Sequence, residues 1–354
     1  MKHLGTKTIE TERLILRRFT LEDAEAMFRN WASDAEVTKF LTWPAHADVG
    51  VSEMVLRDWI SHYSEENFYQ WAIVLKDLGE PIGSIAAVQV NDTAQWVEIG
   101  YCIGKTWWRK GIVSEALKAL IAFFFDRVGM GRIQAAHDPR NGNSGAVMRK
   151  CGMVCEGTLR RAARNNQGIC DICLYSILRE EYDRKHHLLL ELNDETVLGT
   201  DAVSTNWPRL AARAVVRNHA GQIGLVYVKK YDLYALPGGG VEDGESPLDT
   251  VRREVREEVG CTCGKITPLG IVFENRGSQN FVQQSWYYAV EAAEEGLEIR
   301  LTRKERSNAS EIQWHTLEEA IHLIDTQDVT LDSRKFVRLR DLAALEAFRR
   351  DYDK

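Results

Sequence analysis

Residues 236–261 constrain the fold more than any other stretch, because a glycine-rich turn there leads directly into a helix with a clearly marked start. Ser246 is a good N-cap, Pro247 suits the first helical position, and Asp249 places a negative charge in the first turn. Gly260 is well suited to end the helix. The stretch therefore predicts a tight turn followed by a helix that stops at Gly260.

Three glutamates of this helix have a spacing that brings their carboxylates together. Glu254, Glu257 and Glu258 stand at positions i, i+3 and i+4, so they share one helix face. Like charges at this spacing destabilise a helix by roughly 0.2–0.5 kcal/mol per pair, whereas a divalent cation such as Mg²⁺ reverses the sign. A solvated acidic face is the commoner outcome for a run of charges. The glycine turn, the helix cap and the neighbouring pair Arg252 and Arg253 favour the metal site.

The same stretch resembles the Nudix box, in which glycine, arginine and acidic positions recur at fixed spacing. The matching positions are Gly239, Glu245, Arg253, Glu254, Val255, Glu257, Glu258 and Gly260, while Cys261 stands where an aliphatic residue is usual. The resemblance implies a Nudix α/β/α sandwich for this part of the chain. It also implies a Mg²⁺- or Mn²⁺-dependent pyrophosphohydrolase that acts on a nucleoside diphosphate derivative.

The Nudix resemblance implies a role for each matching residue. The metal ligands would be the carbonyl of Gly238 and the catalytic carboxylates of Glu254, Glu257 and Glu258. Glu254 would also activate the attacking water. The residues that shape the box would be Gly239, Glu245, Arg253 and Gly260. A further acid from a downstream loop would be Glu305 or Glu311.

Other residues in the part of the chain that contains the Nudix box are candidate substrate contacts. Arg276 is a loop arginine that could reach a substrate phosphate or be solvated. The aromatic residues that could stack on a nucleobase are Phe273, Trp286, Tyr287 and Tyr288. Alternating aromatic residues in strands are more often part of a hydrophobic core, which is the favoured interpretation here.

At 354 residues the chain is too long for one ordinary hydrophobic core, so its length predicts two domains. The formal net charge of −7 comes entirely from residues 186–354, since residues 1–185 carry equal numbers of acidic and basic side chains. Nothing indicates a surface for nucleic acid. We expect a cytoplasmic protein without membrane contact, because no apolar run reaches roughly 20 residues and the N-terminus lacks a signal-peptide core.

Seven cysteines in a chain without a secretion signal indicate reduced thiols. Cys170 and Cys173 form a Cys-x-x-Cys pair, with Cys151 and Cys155 upstream, so a zinc site is one interpretation. The stretch from residue 170 to residue 178 is apolar and β-like, which favours buried thiols in a strand.

Residues 1–185 predict strands followed by a glycine turn, a helix, a strand and a helix. Strands are expected at residues 11–17, 71–76, 81–91, 95–104, 132–136 and 170–178, and helices at 21–33, 50–63, 112–128 and 141–151. The turn at residues 107–113 offers free N–H groups at a helix N-terminus beside Arg109 and Lys110, a combination that favours a pyrophosphate. Taken alone, it is equally consistent with a plain strand-to-helix turn.

Further matches make residues 8–183 similar to the GNAT acetyltransferases, particularly the branch that acetylates ribosomal-protein N-termini. The matches lie at residues 11–17, 98–101, 115–117 and 156–157, and at Gly111, Asn141, Ser144, Lys150, Gly152, Met153, Asp171, Tyr175 and Leu178. Trp108 and Val113 depart from the residues usual in the pyrophosphate turn. The resemblance implies a GNAT fold, so that the whole chain is α/β (α+β), and an N-acetyltransferase that uses acetyl-CoA as co-substrate.

The GNAT resemblance also implies which residues bind acetyl-CoA. They would be the strand end at Ile103, the turn residues Arg109, Lys110, Gly111, Ile112 and Val113, and the later residues Asn141 and Ser144. Ser144 would in addition protonate the departing thiolate. Acetyl transfer needs a base that takes the amine proton, and Glu98 on the central strand is the candidate, acting through water. The alternative for Glu98 is an acid that is merely exposed where the sheet splays.

A non-catalytic interpretation of the first half remains open, in which it is a CoA-sensing or protein-docking module. Some relatives carry an acid in the arm after residues 156–157, whereas residues 158–164 here contain three arginines and no acid. These arginines favour a substrate with negative groups, unless they are only solvated. The expected partners are a small-molecule nucleotide and an amine acceptor, either a small molecule or a protein N-terminus.

Domain boundaries follow from where periodicity is lost. We expect a GNAT-like domain at residues 1–185, a linker at 186–207 and a Nudix domain at 208–354, because residues 193–207 lack periodicity and are rich in Asp, Thr, Ser and Gly. Within the last domain, strands are expected at residues 213–217, 224–229, 233–236, 269–274, 284–291 and 311–315, and helices at 317–323 and 334–348.

Overall fold

The computed structural model describes residues 1–302 and 306–352, which form two compact units, Met1–Tyr182 and the residues from Asp183 onward. Each unit has its own sheet and its own hydrophobic core. The fold is a mixed α/β (α+β) arrangement in both units, which confirms the predicted fold class.

The first unit is built on an eight-stranded sheet. Its strands are β1 (Ile9–Glu10), β2 (Leu14–Arg17), β3 (Gln70–Leu75), β4 (Pro81–Asn91), β5 (Trp96–Ile103), β6 (Arg132–His137), β7 (Val154–Asn165) and β8 (Gly168–Leu178). They lie in the order β1-β2-β3-β4-β5-β6-β8-β7, with β5 and β6 parallel and the other neighbours antiparallel. Strand β7 includes residues 158–164, the arm with three arginines that the sequence analysis singled out.

Helices cover this sheet. They are α1 (Ala24–Met27), α2 (Ala35–Thr38), α3 (Val49–His62), α4 (Ile112–Ala122), α5 (Gly142–Lys150) and α6 (Arg179–His187). Helix α4 continues as a wider turn, Phe123–Val128, and ends at Gly129 in the left-handed conformation with a φ of 86°. Its apolar face is completely buried, and the ring of Phe124 packs edge-on against Tyr69 with centroids 4.9 Å apart. The predicted apolar face therefore forms the centre of this core.

Strands β5 and β6 separate along their length. They pair only from Trp96↔Arg132 to Glu98↔Gln134, although β5 continues to Ile103 and β6 to His137. In the described part of the chain, the edge of β5 that faces β6 is therefore not paired with β6 after Glu98. The result is a V-shaped opening in the middle of the sheet.

The second unit contains a mixed sheet. Its strands are β9 (Leu188–Asn193), β10 (Arg209–Arg217), β11 (Ile223–Val228), β12 (Leu233–Ala235), β13 (Gly238–Gly240), β14 (Cys263–Arg276), β15 (Phe281–Ala292) and β16 (Ser310–His315). The main order is β12-β11-β10-β15-β14-β9, while β13 pairs with β10 and β16 with β11. Strands β10 and β15 are parallel, as are β14 and β9.

Two hydrophobic layers flank this sheet, so the unit is an α/β/α sandwich. On one side, α8 (Pro247–Glu254) packs through Val251 and the following Val255 against small residues of β10 such as Ala212. On the other side, α9 (Leu317–Thr326) and α10 (Asp332–Tyr352) pack against the sheet through residues such as Ile324 and Phe336. The predicted Nudix-type architecture is present.

The segment before β10 differs from the linker expected over residues 186–207. Leu188–Asn193 forms β9, which pairs in parallel with β14, and Asp194–Leu198 forms a short helix, α7. Asn193 caps α7 by accepting a hydrogen bond from the N–H of Thr196 at 2.8 Å. A strand of six residues at a sheet edge gives too short a pattern to stand out in the sequence.

In the part of the chain that the structure describes, no helix is both long enough and apolar enough to cross a lipid bilayer.

Candidate functional site

The glycine turn of the second unit is held between a strand and a helix. Strand β13 pairs with β10, with Gly239 opposite Ala212. The hydroxyl of Ser246 accepts a hydrogen bond from the N–H of Asp249 at 3.2 Å, and the Asp249 carboxylate accepts one from the N–H of Ser246 at 3.1 Å. After α8 a wider turn, Val255–Val259, ends at Gly260 with a φ of 70°. The start and stop signals in the sequence are therefore both confirmed.

Gly239 lies directly against the carboxylate of Glu254. A Cβ atom at this position would overlap the Glu254 carboxylate, so any larger residue here would force that carboxylate to move. Glu254 itself is only 9% exposed. The turn and the acidic face of the helix therefore share one site.

Arg253 joins the turn to the helix. Its guanidinium forms two hydrogen bonds with Glu245, at 2.8 and 3.0 Å, and donates to the carbonyl of Gly240 at 3.1 Å. The same group donates to Glu254 at 2.7 Å and lies 3.6 Å from an oxygen of Glu257. Hydrogen bonding from Arg253 lowers the pKa of Glu245 to about 2, so this contact is a persistent ion pair at neutral pH.

This contact predicts an acid-dependent loss of stability. The pKa of Glu245 is lower in the folded chain than the value of about 4.3 in an unfolded one, so its stabilisation is present above pH of about 4.3 and is lost as the pH falls toward about 2. Glu245→Gln is therefore expected to be less stable than the wild type at pH 7 and to approach it near pH 2–3.

Urea unfolding of both proteins across this pH range measures the effect. Glu242→Gln is the matched control, because Glu242 is an exposed acid of the same turn. A gap between wild type and Glu245→Gln that stays constant from pH 7 to about pH 2.5 would contradict the ion pair.

The three acids expected to bind metal already have partners. Glu258 accepts a hydrogen bond from the N–H of Gly238 at 2.8 Å and is, like Glu254, only 9% exposed. Glu257 is partly exposed and faces Arg253. A guanidinium and a main-chain amide therefore offset part of the repulsion among the three carboxylates. From the sequence alone, a bound cation was expected to offset it.

The donor chemistry of the site nevertheless fits a hard divalent cation. The helix face supplies three carboxylates, and the carbonyl of Gly238 accepts a long hydrogen bond from Arg213 at 3.3 Å. Among residues 1–302 and 306–352, no group of three or more His, Cys, Asp or Glu side chains is arranged closely enough to hold a metal ion. The ligand set is thus not preassembled, because the carboxylates turn toward Arg253 and the Gly238 amide.

One of the two candidates for a fourth acid lies beside this face. Glu311, on β16, lines the same cavity of about 470 Å³ as Glu258, together with the apolar side chains of Val226, Ile299, Leu301 and Ile312. Its carboxylate is paired with Lys229 at 2.6 Å, which lowers its pKa. The other candidate, Glu305, lies outside the described residues.

The glycine turn of the first unit has the conformation of an anion-binding turn. Arg109 and Gly111 both have positive φ angles, 60° and 75°, and α4 begins directly after them. The first N–H groups of an α-helix have no partner within the helix. The indole N–H of Trp108 donates to the carbonyl of Ile103 at 2.9 Å, which ties the turn to the end of β5.

Two cations join this turn from elsewhere in the unit. The guanidinium of Arg13 donates to the carbonyl of Lys110 at 3.0 Å and lies beside Gly111, as does the ammonium of Lys150. Arg13 is fixed by an ion pair with Glu115 at 2.7 Å. The side chain of Val113 is partly buried and packs against the hydrophobic core.

Glu98 and Tyr101 lie where β5 and β6 separate. The carboxylate of Glu98 accepts a hydrogen bond from Gln134 at 2.9 Å. Because side chains alternate along a strand, Glu98 and Tyr101 project to opposite faces of β5. The Tyr101 hydroxyl donates to the carbonyl of Ser144 at 3.1 Å and lies 3.0 Å from the Ser144 hydroxyl. The opening therefore has an acid on one side and two hydroxyls on the other.

Asn141 occupies the N-cap position of α5 but its side chain does not cap the helix. The main-chain carbonyl of Asn141 instead accepts from the N–H of Ser144 at 3.1 Å. The Asn141 amide is therefore not committed to its own helix.

Comparison with known proteins matches two separate parts of the chain to families. The profile described as "Acetyltransferase (GNAT) domain" matches residues 13–154, and the NUDIX domain profile matches residues 207–339. The uncharacterized N-acetyltransferase p20 of Bacillus licheniformis is 31% identical over 176 residues, which are 50% of this chain and 98% of that protein. The chain belongs to the GNAT acetyltransferase family and also carries a NUDIX domain.

Two further relatives show the same division. The uncharacterized N-acetyltransferase YoaA of Bacillus subtilis is 32% identical over 48% of this chain and 96% of its own length. An asymmetrical bis(5′-nucleosyl)-tetraphosphatase of Sus scrofa is 33% identical over 26% of this chain and 62% of its own length. The protein is thus an enzyme with acetyltransferase and Nudix hydrolase domains.

Most of the substrate contacts considered for the NUDIX domain are core residues. Tyr287 is fully buried and Phe273 is 8% exposed, which confirms the core interpretation for these two aromatics, whereas Trp286 and Tyr288 are only partly buried. The hypothesis that Arg276 reaches a substrate phosphate is wrong. Its guanidinium lies between the rings of Phe281 and Phe336 and is paired with Glu274 at 2.5 Å, so it is 7% exposed.

A buried polar network of the NUDIX domain was not predicted from the sequence. Asp341, on α10, accepts hydrogen bonds from the N–H of Leu236 at 3.0 Å, the hydroxyl of Tyr287 at 2.8 Å and the guanidinium of Arg340 at 3.2 Å. Arg213 in turn donates to the carbonyls on both sides of Pro237. The signal that was available is an Arg-Asp pair on the otherwise apolar face of the last helix.

The cysteines of the GNAT domain are free thiols, as expected. Cys170 is buried, and its sulfur receives a hydrogen bond from Asn165 at 3.4 Å. Cys173 lies near the hydroxyl of Thr158, also at 3.4 Å. Both thiols lie on β8, where the strand interpretation of this stretch expected them.

Proposed function

We propose that this chain is a bifunctional enzyme, in which an acetyl-CoA-dependent N-acetyltransferase is joined to a divalent-metal-dependent pyrophosphohydrolase. The observation that carries the second activity is the contact of Gly239 with Glu254, which brings the glycine turn against the acidic helix face. Mg²⁺ or Mn²⁺ is the proposed ion, and a nucleoside diphosphate derivative is the proposed substrate. The name of the tetraphosphatase relative supports a nucleotide with a phosphoanhydride bond.

In the NUDIX site the ion would be held by Glu254, Glu257, Glu258 and the Gly238 carbonyl. When bound, such an ion neutralises phosphate oxygens and lowers the pKa of the attacking water. Glu254 would take the proton of that water after its contact with Arg253 opens. Arg253 keeps its hydrogen bonds to Glu245 and Gly240, so the loop stays in place while the carboxylates turn.

A hydrolysis screen tests this half of the proposal. The wild-type chain is assayed with Mg²⁺ or Mn²⁺ against nucleoside triphosphates, ADP-ribose, dinucleotides and CoA. Glu257→Gln serves as the inactive control. Metal-dependent release of phosphate or a nucleotide from at least one compound supports the proposal, and no hydrolysis of any of them overturns it.

In the GNAT domain the geometry favours acetyl transfer within the opening between β5 and β6. Acetyl-CoA would lie along the free edge of β5 near Ile103, with its pyrophosphate on the turn that contains Arg109, Lys110, Gly111, Ile112 and Val113. Asn141 would hold the cofactor arm. The turn conformation and the nearby cations Arg13 and Lys150 support this placement.

The chemical step divides between two sides of the strand. Glu98, through a water molecule, takes a proton from the acceptor amine, whose nitrogen then forms a bond with the acetyl carbon. The bond from that carbon to sulfur breaks, and the thiolate receives a proton from Ser144. Because Glu98 and Ser144 approach from opposite faces, the base and the acid do not compete for one position.

The acceptor proposed for this site is an amine with negative groups nearby, on a small molecule or at a protein N-terminus. Three exposed arginines, Arg160, Arg161 and Arg164, lie along β7. The N–H of Arg161 donates to the carboxylate of Asp171 at 2.8 Å. Arg161 has a φ of 52° and lies in a bulge of β7, so its side chain does not follow the alternation of the other side chains between the two faces of the strand. A cationic strip of this kind favours anionic partners.

Thiol release from acetyl-CoA against a library of amines and N-terminal peptides tests the acetyltransferase. Amine-dependent release by the wild-type chain supports it, and we expect acidic peptides to be better acceptors than basic ones. CoA binding without any amine-dependent release would support the alternative, a CoA-sensing or docking module. The free thiols favour a reducing compartment, and a cytoplasmic location remains a prediction.

A further inference from the structure

The hydroxyl of Tyr101, on β5, contacts both the main chain and the side chain of Ser144, on α5. It donates to the main-chain carbonyl of Ser144 at 3.1 Å and lies 3.0 Å from the Ser144 hydroxyl. Tyr101 is on β5 and Ser144 is in the first turn of α5, so the pair bridges the opening in the sheet. Ser144 is therefore not an isolated surface hydroxyl.

We propose that Tyr101 is a positioning residue for Ser144, which orients its hydroxyl toward the departing thiolate and returns a proton to it. This inference rests on the proposed acetyltransferase activity and on the role of Ser144 as proton donor. It adds a residue to the reaction that neither the motif nor the comparisons assign.

The proton passes through this pair in two steps. The thiolate sulfur gains a proton as the O–H bond of Ser144 breaks, and Ser144 regains one as the O–H bond of Tyr101 breaks. The Tyr101 phenolate then takes a proton from water, and the hydroxide that remains is neutralised by the proton that Glu98 took from the amine. A phenol is a stronger acid than an aliphatic hydroxyl, and the burial that raises the pKa of Tyr101 reduces this difference without reversing it, so the negative charge does not remain on Ser144.

The surroundings of Tyr101 keep it ready to act as a donor. Burial raises the pKa of Tyr101, while its hydrogen bond with Ser144 opposes the rise, so the phenol remains protonated at neutral pH. Its single O–H points to the Ser144 carbonyl and needs only a rotation about the C–O bond to reach the Ser144 hydroxyl. Both acceptors are on the same residue.

A double-mutant cycle tests the coupling. Wild type, Tyr101→Phe, Ser144→Ala and the double variant are compared in single-turnover acetyl transfer to an acceptor found in the amine screen. We expect Tyr101→Phe to lower the rate roughly 10²-fold, within the range for general acid catalysis. The KM for acetyl-CoA should change less than about 2-fold, and in the Ser144→Ala background the same substitution should have almost no further effect.

A merely structural Tyr101 gives a different result. It would lower the rate by the same factor with or without the Ser144 hydroxyl, or it would weaken acetyl-CoA binding and leave the single-turnover rate unchanged. Either outcome would overturn the proposal. Thermal unfolding and CoA titration of each variant identify any general loss of structure.

Should Tyr101→Phe fail to fold, fluorinated tyrosine at position 101 provides a second test, because it keeps the hydroxyl and increases its acidity. A higher single-turnover rate is expected, and an unchanged rate contradicts the proposal. A wild-type chain that transfers acetyl groups while these substitutions have no effect would remove only the role of Tyr101. A wild-type chain without any transfer would remove the acetyltransferase proposal as well.

Discussion

Glu254→Gln is expected to lower metal-dependent hydrolysis by roughly 10²–10⁴-fold, the range for loss of a positioned proton acceptor. The amide matches the carboxylate in size, so the close contact with Gly239 is kept. It cannot take the proton of the attacking water and is a weaker ligand for a hard cation. Initial rates at saturating Mg²⁺, with the best substrate from the screen, measure the effect.

The matched control is Glu318→Gln, an exposed glutamate at the start of α9 whose contact with Arg349 is a surface pair at 3.6 Å. This control should keep the wild-type rate. Arg253 remains bound to Glu245 and Gly240 in Glu254→Gln, so its stability should stay close to that of the wild type. Hydrolysis by Glu254→Gln within about 3-fold of the wild type would contradict the assigned role.

Asp341→Ala is expected to lower the free energy of unfolding of the NUDIX domain by about 3–5 kcal/mol, as for removal of one partner from a buried ion pair. The substitution leaves the hydroxyl of Tyr287 buried without its acceptor, and it removes one of two buried carboxylates that pair with Arg340, the other being Glu274. It also frees the N–H of Leu236 at the entry to the glycine turn. Hydrolysis should therefore fall as well, even though Asp341 is not on the acidic helix face.

Urea unfolding measures this loss. The transitions of the two units must be resolved, because a single two-state fit does not apply to a chain with two units. Asp325→Ala on α9 is the control, since Asp325 is exposed. A change of less than about 1 kcal/mol in Asp341→Ala would show that the network does not hold the turn.

The parts of the sites that depend on neighbours in sequence could be predicted. Helix periodicity alone places Glu254, Glu257 and Glu258 on one face, and the cap at Ser246 and the stop at Gly260 mark its ends. The turn around Gly111 could be predicted for the same reason, because a glycine before an apolar helix is a local signal. Local spacing therefore gave the framework of both sites.

Contacts between distant segments could not be predicted. Tyr101 and Ser144 are 43 residues apart, and Leu236 and Asp341 are 105 apart, so only the folded topology brings them together. Arg276 was misassigned for the same reason, since the rings that enclose it and the acid that pairs with it depend on strand register and on α10. Long-range packing decided each of these residues.

The role of Arg253 shows how the structure changes the energetic interpretation of the acidic face. From the sequence, a bound cation was needed to make three neighbouring carboxylates favourable. In the structure, Arg253 contacts two of them and the Gly238 amide binds the third. The acids are thus stable without metal, and metal binding must compete with these contacts.

Titration with Mn²⁺, followed by electron paramagnetic resonance, tests the central claim most directly. The wild-type chain should bind one Mn²⁺ in the NUDIX domain, and the bound ion should be displaced by Mg²⁺. Glu254→Gln and Glu257→Gln should each weaken this binding, while Glu318→Gln should not. Equal binding by all four proteins, or no binding by the wild type, would contradict a metal site formed by Glu254, Glu257 and Glu258.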